Sequence, residues 1–316
     1  FGPVLPLSAT PDTAAGDTPV LYEDIAGVRV GFKLEYTNPG GSFKDRGAYV
    51  TVARCRESGF SSIVVDSSGN AGVSIARMGL RLGIHVGVFL PGSTPAGKKS
   101  LLRMLGATLH EVAGDRMAVH SAALAATGGS AAYVGHWYNP YFLEGTKTMG
   151  YEVIEQMSAL DYVFCPVGAG TALLGLYKGF SELASVGMLG TIPRLVAVQA
   201  AGYSPVAHDL SAEVPAPGTS SLADGIAIAE PPRRQEIVNA VRTTGGFGVT
   251  VSDAEIRNAL RILISRGYIV EPTSAVPIAG LLRAVGQGKV AAGSTVCVPL
   301  TGTGMKALDE LSELLV

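Results

Sequence analysis

Apolar positions recur along this chain in two rhythms. Short runs rich in Val, Ile and Leu are separated by longer stretches in which apolar residues return every three or four positions. The first pattern belongs to strands buried on both faces, the second to amphipathic helices. Alternation over 28–35 predicts a strand, and a helix follows from about 44. The rhythm then predicts strands over 62–66, 85–90, 108–112 and 131–134 with helices over 71–82, 98–105 and up to about 127. A helix over 142–156 leads into a second series: strands 162–167, 195–199 and 295–301, and helices 171–183, 253–265, 274–285 and from 304. Residues 1–19, rich in Pro, Thr and Gly, read as an extended arm, and 215–221 as a loop. Strands alternating with helices imply parallel βαβ units. The expected fold class is α/β, with two doubly wound domains and the active site between them at carboxyl ends of strands.

Composition removes several function classes. With 316 residues, 47% hydrophobic, the chain can bury a large core, and more than one domain is expected. Charged residues are 16% and the net charge is −2, so there is no basic field for nucleic acid. Apolar stretches are short and interrupted, so no membrane span is expected, and the start at Phe1 lacks the pattern of a secretory signal. Three widely spaced cysteines form neither a disulfide ladder nor a zinc pattern, which fits a reducing cytoplasm, and the five histidines show no paired metal spacing.

The stretch Asn38-Pro39-Gly40-Gly41-Ser42-Phe43-Lys44-Asp45-Arg46-Gly47 stands out. Turn formers lead to Ser42 as an expected helix N-cap, with Lys44 in the first turn. Cations are favoured at the opposite end of a helix, so an N-terminal lysine should have its pKa lowered. An amine kept partly neutral can attack a carbonyl, as Schiff-base chemistry requires. A surface lysine after a turn would show the same residues.

Four further stretches fall at strand-to-helix junctions or beside apolar runs. Asp66-Ser67-Ser68-Gly69-Asn70-Ala71-Gly72 offers hydroxyls and N–H groups for a carboxylate, and an amide that can donate to a phenolic oxygen; a capped turn would look alike. Gly168-Ala169-Gly170-Thr171-Ala172 offers close backbone approach to a phosphate. It is no Walker A loop, and Leu173 takes the place of the last glycine of a dinucleotide fingerprint. Thr301-Gly302-Thr303-Gly304 puts a neutral hydroxyl at the end of the last strand, where simple helix capping is the competing reading. Asn139 to Thr148 places polar residues beside an apolar run, as at a domain junction.

The order of these stretches resembles the fold-type II pyridoxal-phosphate enzymes, the family of tryptophan synthase β, cysteine synthase and threonine synthase. The resemblance runs from Asp17 to about Leu308. Within the family the stretches 33–47, 139–148, 177–180 and 271–275 look most like threonine synthase. It implies that Lys44 is the catalytic lysine holding pyridoxal 5′-phosphate and that Asn70 partners the cofactor's phenolic oxygen. Gly168, Ala169, Gly170, Thr171 and Ala172 would form its phosphate cup, and Thr301 would face the pyridine nitrogen. Ser67, Ser68, Gly69 and Ala71 would hold the carboxylate of a small amino-acid substrate. No metal is implied. The cofactor-binding domain would comprise 1–47 with 150–316, and the smaller domain 48–149; a cytoplasmic homodimer with no regulatory domain after the last helix is the expectation. A hydroxyl opposite the ring nitrogen leaves it less protonated than a carboxylate would, which favours elimination and replacement over transamination.

The implied reaction is that of threonine synthase: O-phosphohomoserine and water to threonine and phosphate. Two positions depart from that pattern. Ala71 stands where many threonine synthases have Thr, and Phe142 where many have an Arg that grips the substrate phosphate. The turn 168–172 and the stretch 222–227 are closer to dehydratases and cysteine synthases. Lys147, Arg46 or Lys98 would then have to meet a substrate phosphate, although a structural or surface charge is the commoner role for each. A second reading is therefore β-elimination or β-replacement on threonine, serine or O-phosphoserine, and a third is a non-catalytic amino-acid-binding module.

Overall fold

The two rhythms fold into two sheets. The computed structural model describes all residues except 1, 10–14, 115, 130, 212–218, 221, 307 and 316, so most of the expected 215–221 loop lies outside the described residues. The chain forms two compact units, one made of 1–16 and 38–146, the other of 17–37 and 147–316.

The second unit takes the first two strands, β1 (Val20–Ile25) and β2 (Val28–Lys33). They form an antiparallel hairpin in which Ile25 pairs with Val28 across Ala26-Gly27. Both turn residues have positive φ, 54° and 75°, the geometry of a two-residue hairpin turn whose twist matches its strands. The chain then leaves for the first unit: α1 (Lys44–Glu57), β3 (Ser62–Val65), α2 (Asn70–Leu82), β4 (His85–Pro91), α3 (Ala96–Met104), β5 (Thr108–Val112), α4 (Arg116–Ala125) and β6 (Ala131–Tyr133). All four of its strands are parallel, in the order β5-β4-β3-β6. The stretch 38–47 belongs here and not to the larger unit as expected, because α1 buries Ala48, Val52 and Ala53 in a core with Ile63, Val65, Ile75 and Met78.

Helix α5 (Pro140–Gln156) carries the chain across residue 147 into the second unit. There follow β7 (Tyr162–Pro166), α6 (Thr171–Ser185), β8 (Arg194–Ala200), α7 (Pro205–Leu210), α8 (Arg234–Thr243), β9 (Phe247–Val251), α9 (Asp253–Ser265), α10 (Pro272–Gly286), β10 (Thr295–Pro299) and α11 (Leu308–Leu315). The sheet order is β1-β2-β10-β7-β8-β9, parallel apart from the β1/β2 hairpin. Its core joins Val30 and Phe32, Phe164, Val196, Val198, Val296 and Val298 with the inner faces of α9 and α10. Four elements were not expected from the sequence: β1, α7, α8 and β9. The last expected helix begins later, at Leu308, after a short 3-10 turn over Gly304–Lys306.

A second lysine, Lys33, is fully buried in the larger unit. Its ammonium is held by Glu152 at 2.6 Å, Gln156 at 2.8 Å and the Thr18 carbonyl, so its charge is spent on structure. Among the described residues no helix is long and apolar enough to cross a membrane, and no group of three or more His, Cys, Asp or Glu side chains converges as metal ligands.

Candidate active site

Each sheet has one place where successive strands stop advancing in one direction and begin on the other side. In the first unit β3, β4 and β5 step outward one way and β6 returns to the far side of β3. In the second β7, β8 and β9 step one way and β10 returns to the far side of β7. The helices leaving such neighbours diverge, which opens a crevice at the strands' carboxyl ends; this is where α/β sheets bind ligands. The turns singled out by the sequence lie at these two points. The 66–72 turn follows β3, the 168–172 turn follows β7, and Thr301 follows β10.

In the first unit, Lys44 is the first residue of α1 and Asn70 the first residue of α2, and these two helices pack on one another. Lys44 is half-buried, its ammonium 4.5 Å from the centre of the Phe43 ring and 5.9 Å from that of the fully buried Phe142. Ser42 does not cap the helix as expected. The N-cap is Phe43, in helical conformation and without a side-chain bond, because the chain enters α1 through a tight turn whose N–H groups use main-chain carbonyls: Asp45 N–H to Ser42 at 3.2 Å and Arg46 N–H to Phe43 at 3.1 Å. Ser42 Oγ is therefore buried without a hydrogen-bond partner. Such an orphan costs about 1–3 kcal/mol, and a bound ligand is one explanation of it. Asp45, also buried, steadies the loop by accepting from the Gly40 N–H at 2.6 Å, with Arg77 at 3.4 Å.

The 66–72 turn is pinned at both ends. A Cβ on Gly72 would lie 1.7 Å from the Ser67 carbonyl oxygen, so only glycine lets α2 start this close to the turn. Behind it, buried Asp66 accepts from Tyr133 Oη at 2.8 Å and faces His120 Nδ1 at 2.9 Å. A carboxylate only accepts, so Nδ1 is the protonated ring nitrogen. Sequence reasoning missed His120 and Tyr133, whose only signal was their place on α4 and β6. Ser67, Ser68 and Asn70 stay half-buried, Gly69 is exposed and Ala71 is buried. The N-cap Gly69 makes no side-chain bond, so a cap side chain does not serve the first N–H groups of α2.

In the second unit, the Gly168 to Ala172 turn is buried throughout. Gly170, the N-cap of α6, has φ +82°, and a Cβ there would lie 2.3 Å from Ile237 Cδ1; a Cβ on Gly168 would lie 2.9 Å from the Ile226 main chain. The turn is tied to the next strand by buried Gln199, whose amide donates to the Val167 carbonyl at 3.1 Å while its oxygen accepts from the N–H groups of Val206 and Ala207. No side chain caps α6, so its first N–H groups face the turn. Thr301 is buried, with Ser274 Oγ at 3.1 Å and Glu271 Oε1 at 3.4 Å. Since β10 and β7 are adjacent parallel strands, Thr301 and the glycine turn share one end of one sheet.

Cys55 and Cys297 supply no nucleophile near neutral pH. Burial pushes the Cys55 thiol up to about 11 and the Cys297 thiol up to about 12, so both stay protonated near neutral pH. Of the cations considered for a substrate phosphate, Lys147 is paired with Glu182 at 3.0 Å, Arg46 is fully buried and Lys98 is partly exposed.

A protein-family profile described as "Pyridoxal-phosphate dependent enzyme" matches residues 12–302. The chain is 32% identical over 320 aligned positions to a threonine synthase of Methanosarcina acetivorans, covering 97% of this chain and 79% of that enzyme. It is 34% identical over 288 positions to a threonine synthase of Mycobacterium tuberculosis, covering 90% of this chain and 79% of that one. Among solved structures, the processed form of threonine deaminase isoform 2 from Solanum lycopersicum superimposes with a TM-score of 0.80 at 24% identity, covering 95% of this chain and 84% of that one. At that identity the likeness speaks for the fold alone.

Proposed function

Because the chain belongs to the pyridoxal-phosphate dependent enzymes and is a lyase of that family, we propose that it acts as a threonine synthase, converting O-phosphohomoserine and water to threonine and phosphate. The observation that carries this reading is the match to threonine synthases over nearly the whole chain.

The residues present fit the cofactor. The turn before α6 admits no Cβ at Gly168 or Gly170, so main chain lines it, and no side chain caps the first N–H groups of the helix, as a phosphate needs. The orphaned Ser42 hydroxyl two residues before Lys44 is the kind of group a bound ligand satisfies. On this reading Gly168, Ala169, Gly170, Thr171 and Ala172 hold the phosphate, Thr301 meets the pyridine nitrogen, Asn70 donates to the phenolic oxygen and Lys44 binds the aldehyde. Bound there, pyridoxal phosphate supplies an electron sink for charge developing on the substrate. Ser67, Ser68, Gly69 and Ala71 hold the substrate carboxylate at the start of α2. With its amine released, Lys44 would take the proton from the substrate's Cα and return one there before product leaves. The Phe43 and Phe142 rings lie beside its amine, at 4.5 and 5.9 Å from their centres. A homodimer belongs to the same proposal.

One observation favours a second reading. Phe142, fully buried against Gly47, gives the start of α5 an aromatic ring and no cation beside Lys44. That suits a substrate with an unphosphorylated side chain, and hence β-elimination or β-replacement on serine or threonine. A screen of O-phosphohomoserine, O-phosphoserine, threonine and serine decides between them. Phosphate with threonine supports the first reading; ammonia with a 2-oxo acid, and no threonine from O-phosphohomoserine, replaces it with the second. Independently, borohydride reduction of the loaded protein should leave the cofactor on the Lys44 peptide and on none in Lys44→Ala; label on another lysine overturns the assignment.

A further inference from the structure

A groove in the first unit is used by none of the roles given above. Its volume is about 370 Å³, room for a molecule of one ring, and rings wall it: Phe60, Tyr133, Tyr138 and Tyr141. Tyr138 is 67% exposed, so one wall stands open to solvent.

The polar edge of the groove is made of donors. Among the described residues Arg54 is the charged side chain that lines it, and no carboxylate does. Of its five N–H donors the guanidinium gives one to Glu57 at 3.1 Å and bonds the Tyr141 side chain, 5.7 Å from the centre of that ring. Glu57 is shared with the N–H groups of Ser8 at 2.7 Å and Ala9 at 3.3 Å, and donors on Arg54 are left for an anion. Asn139 adds a second donor, because its side-chain oxygen accepts from the Tyr141 N–H at 2.9 Å and its N–H₂ points elsewhere. Rings that stack, a guanidinium that grips carboxylates and no acidic side chain to hold an ammonium select one chemistry: a planar aromatic acid without an amino group.

The groove also reaches the 66–72 turn from behind. Its wall Tyr133 donates from the hydroxyl to Asp66, the residue before Ser67, at 2.8 Å. Room for that hydroxyl depends on Gly135, another lining residue, where a Cβ would lie 2.0 Å from Tyr133 Oη.

We propose that this groove is an effector site for a small aromatic carboxylate, whose ring packs on Tyr133 and whose anion meets Arg54 and Asn139. A ring seated there steadies Tyr133, Tyr133 steadies Asp66, and Asp66 steadies the turn, so that groove and turn each favour the other's ligand. This coupling rests on the reading that residues 67–71 hold the substrate carboxylate.

The chain's single tryptophan, Trp137, adjoins Tyr138 and reports on the groove. Benzoate is titrated into the holoenzyme by Trp137 emission and calorimetry, with cyclohexanecarboxylate and benzyl alcohol as probes that lack the aromatic ring or the charge. L-Alanine, which has no leaving group, occupies the substrate turn and is read separately from the cofactor's visible band. Benzoate should bind one to one and more tightly than either control, and Arg54→Gln and Tyr138→Ala should each weaken it roughly tenfold. Saturating alanine should tighten benzoate by about fivefold, and benzoate should tighten alanine by the same factor. Tyr133→Phe keeps the ring and removes the bond to Asp66, so it should keep benzoate affinity and abolish the mutual effect. No saturable binding, or binding indifferent to both Arg54→Gln and Tyr138→Ala, overturns the site. Alanine that weakens benzoate puts benzoate on the substrate turn and overturns it too. Alanine that shifts the visible band but leaves benzoate untouched, or coupling that survives Tyr133→Phe, overturns the effector route through Tyr133. Alanine that leaves the visible band unchanged counts against the reading of the turn, while the groove still stands or falls on the benzoate titration.

Discussion

The two turns at the two switch points are built by opposite means. After β7 the turn is held by close-packed main chain, with one buried amide, Gln199, behind it: Gly168 and Gly170 leave no space for a Cβ, and the flanking Ala169, Thr171 and Ala172 are buried. After β3 the turn is held from behind by a polar cluster, with Asp66 bonded to Tyr133 and His120, while Ser67, Ser68 and Asn70 stay partly open. The contrast suits two tasks. A phosphate that stays is best met by a rigid ring of N–H groups, and a carboxylate that comes and goes by a turn whose open face is steadied from its rear.

The largest effect is expected where the main chain does the holding. Gly170→Val places a β-branched residue at φ +82°, costing about 1–2 kcal/mol for the left-handed conformation. Driving its Cβ into Ile237 adds roughly 1–3 kcal/mol of overpacking. Affinity for pyridoxal phosphate, by equilibrium titration of apoprotein, should fall by at least tenfold, since each ~1.4 kcal/mol is a factor of ten. Wild-type affinity would show that this turn does not hold the cofactor.

A smaller and different effect is expected at the other turn. Asp66→Asn offers one accepting oxygen where two donors now arrive, and turns an N–H₂ toward one of them. Leaving a buried hydroxyl or ring N–H unpaired costs about 1–3 kcal/mol. The Michaelis constant for the amino-acid substrate should rise while cofactor affinity stays unchanged; His120→Ala, at the exposed edge of the cluster, should do the same more weakly. Equal losses of cofactor and substrate affinity in Asp66→Asn would erase the distinction between the turns.

What the sequence revealed of this contrast follows the same division. The strands that flank the crevices are buried on both faces, so β3, β4, β7, β8 and β10 read as apolar runs, and glycines at strand-to-helix junctions marked both turns. β1 was not legible because it is an edge strand with only Ile25 fully buried. The Asp66 cluster was not legible because it depends on β6 returning beside β3, which sets Tyr133 against a carboxylate 67 positions earlier, a contact that no local pattern encodes. Ser42 misled for a local reason: its hydroxyl has the chemistry of a cap, but the helix begins one residue later, through main-chain bonds. The likeness to the family supplied candidate roles, while the reason that Gly302 is a glycine appeared only once Glu271 lay beside it.

The smallest effect is expected at the far end of α6, the helix that the glycine turn begins. Glu182 accepts from Tyr151 and lies 3.0 Å from both Lys147 and Lys178. Burial pulls its carboxyl upward, but the bonds from Tyr151, Lys147 and Lys178 outweigh it and the pKa is lowered. A carboxyl whose pKa is lower folded than unfolded adds stability that is fully present above the unfolded value, about 4.3, and lost as pH falls through the folded one. This group is about one-third exposed, so solvent screening keeps its share below about 1 kcal/mol. Glu182→Gln should therefore lower the thermal midpoint slightly at neutral pH, and the gap to wild type should close as the pH drops below about 4. Cofactor affinity should not change, because the turn at the head of α6 is held by main chain that this carboxylate does not touch. A gap that stays constant into acid would mean that Glu182 contributes shape and no charge, and a fall in cofactor affinity would mean that the glycine turn relies on side chains at the far end of α6.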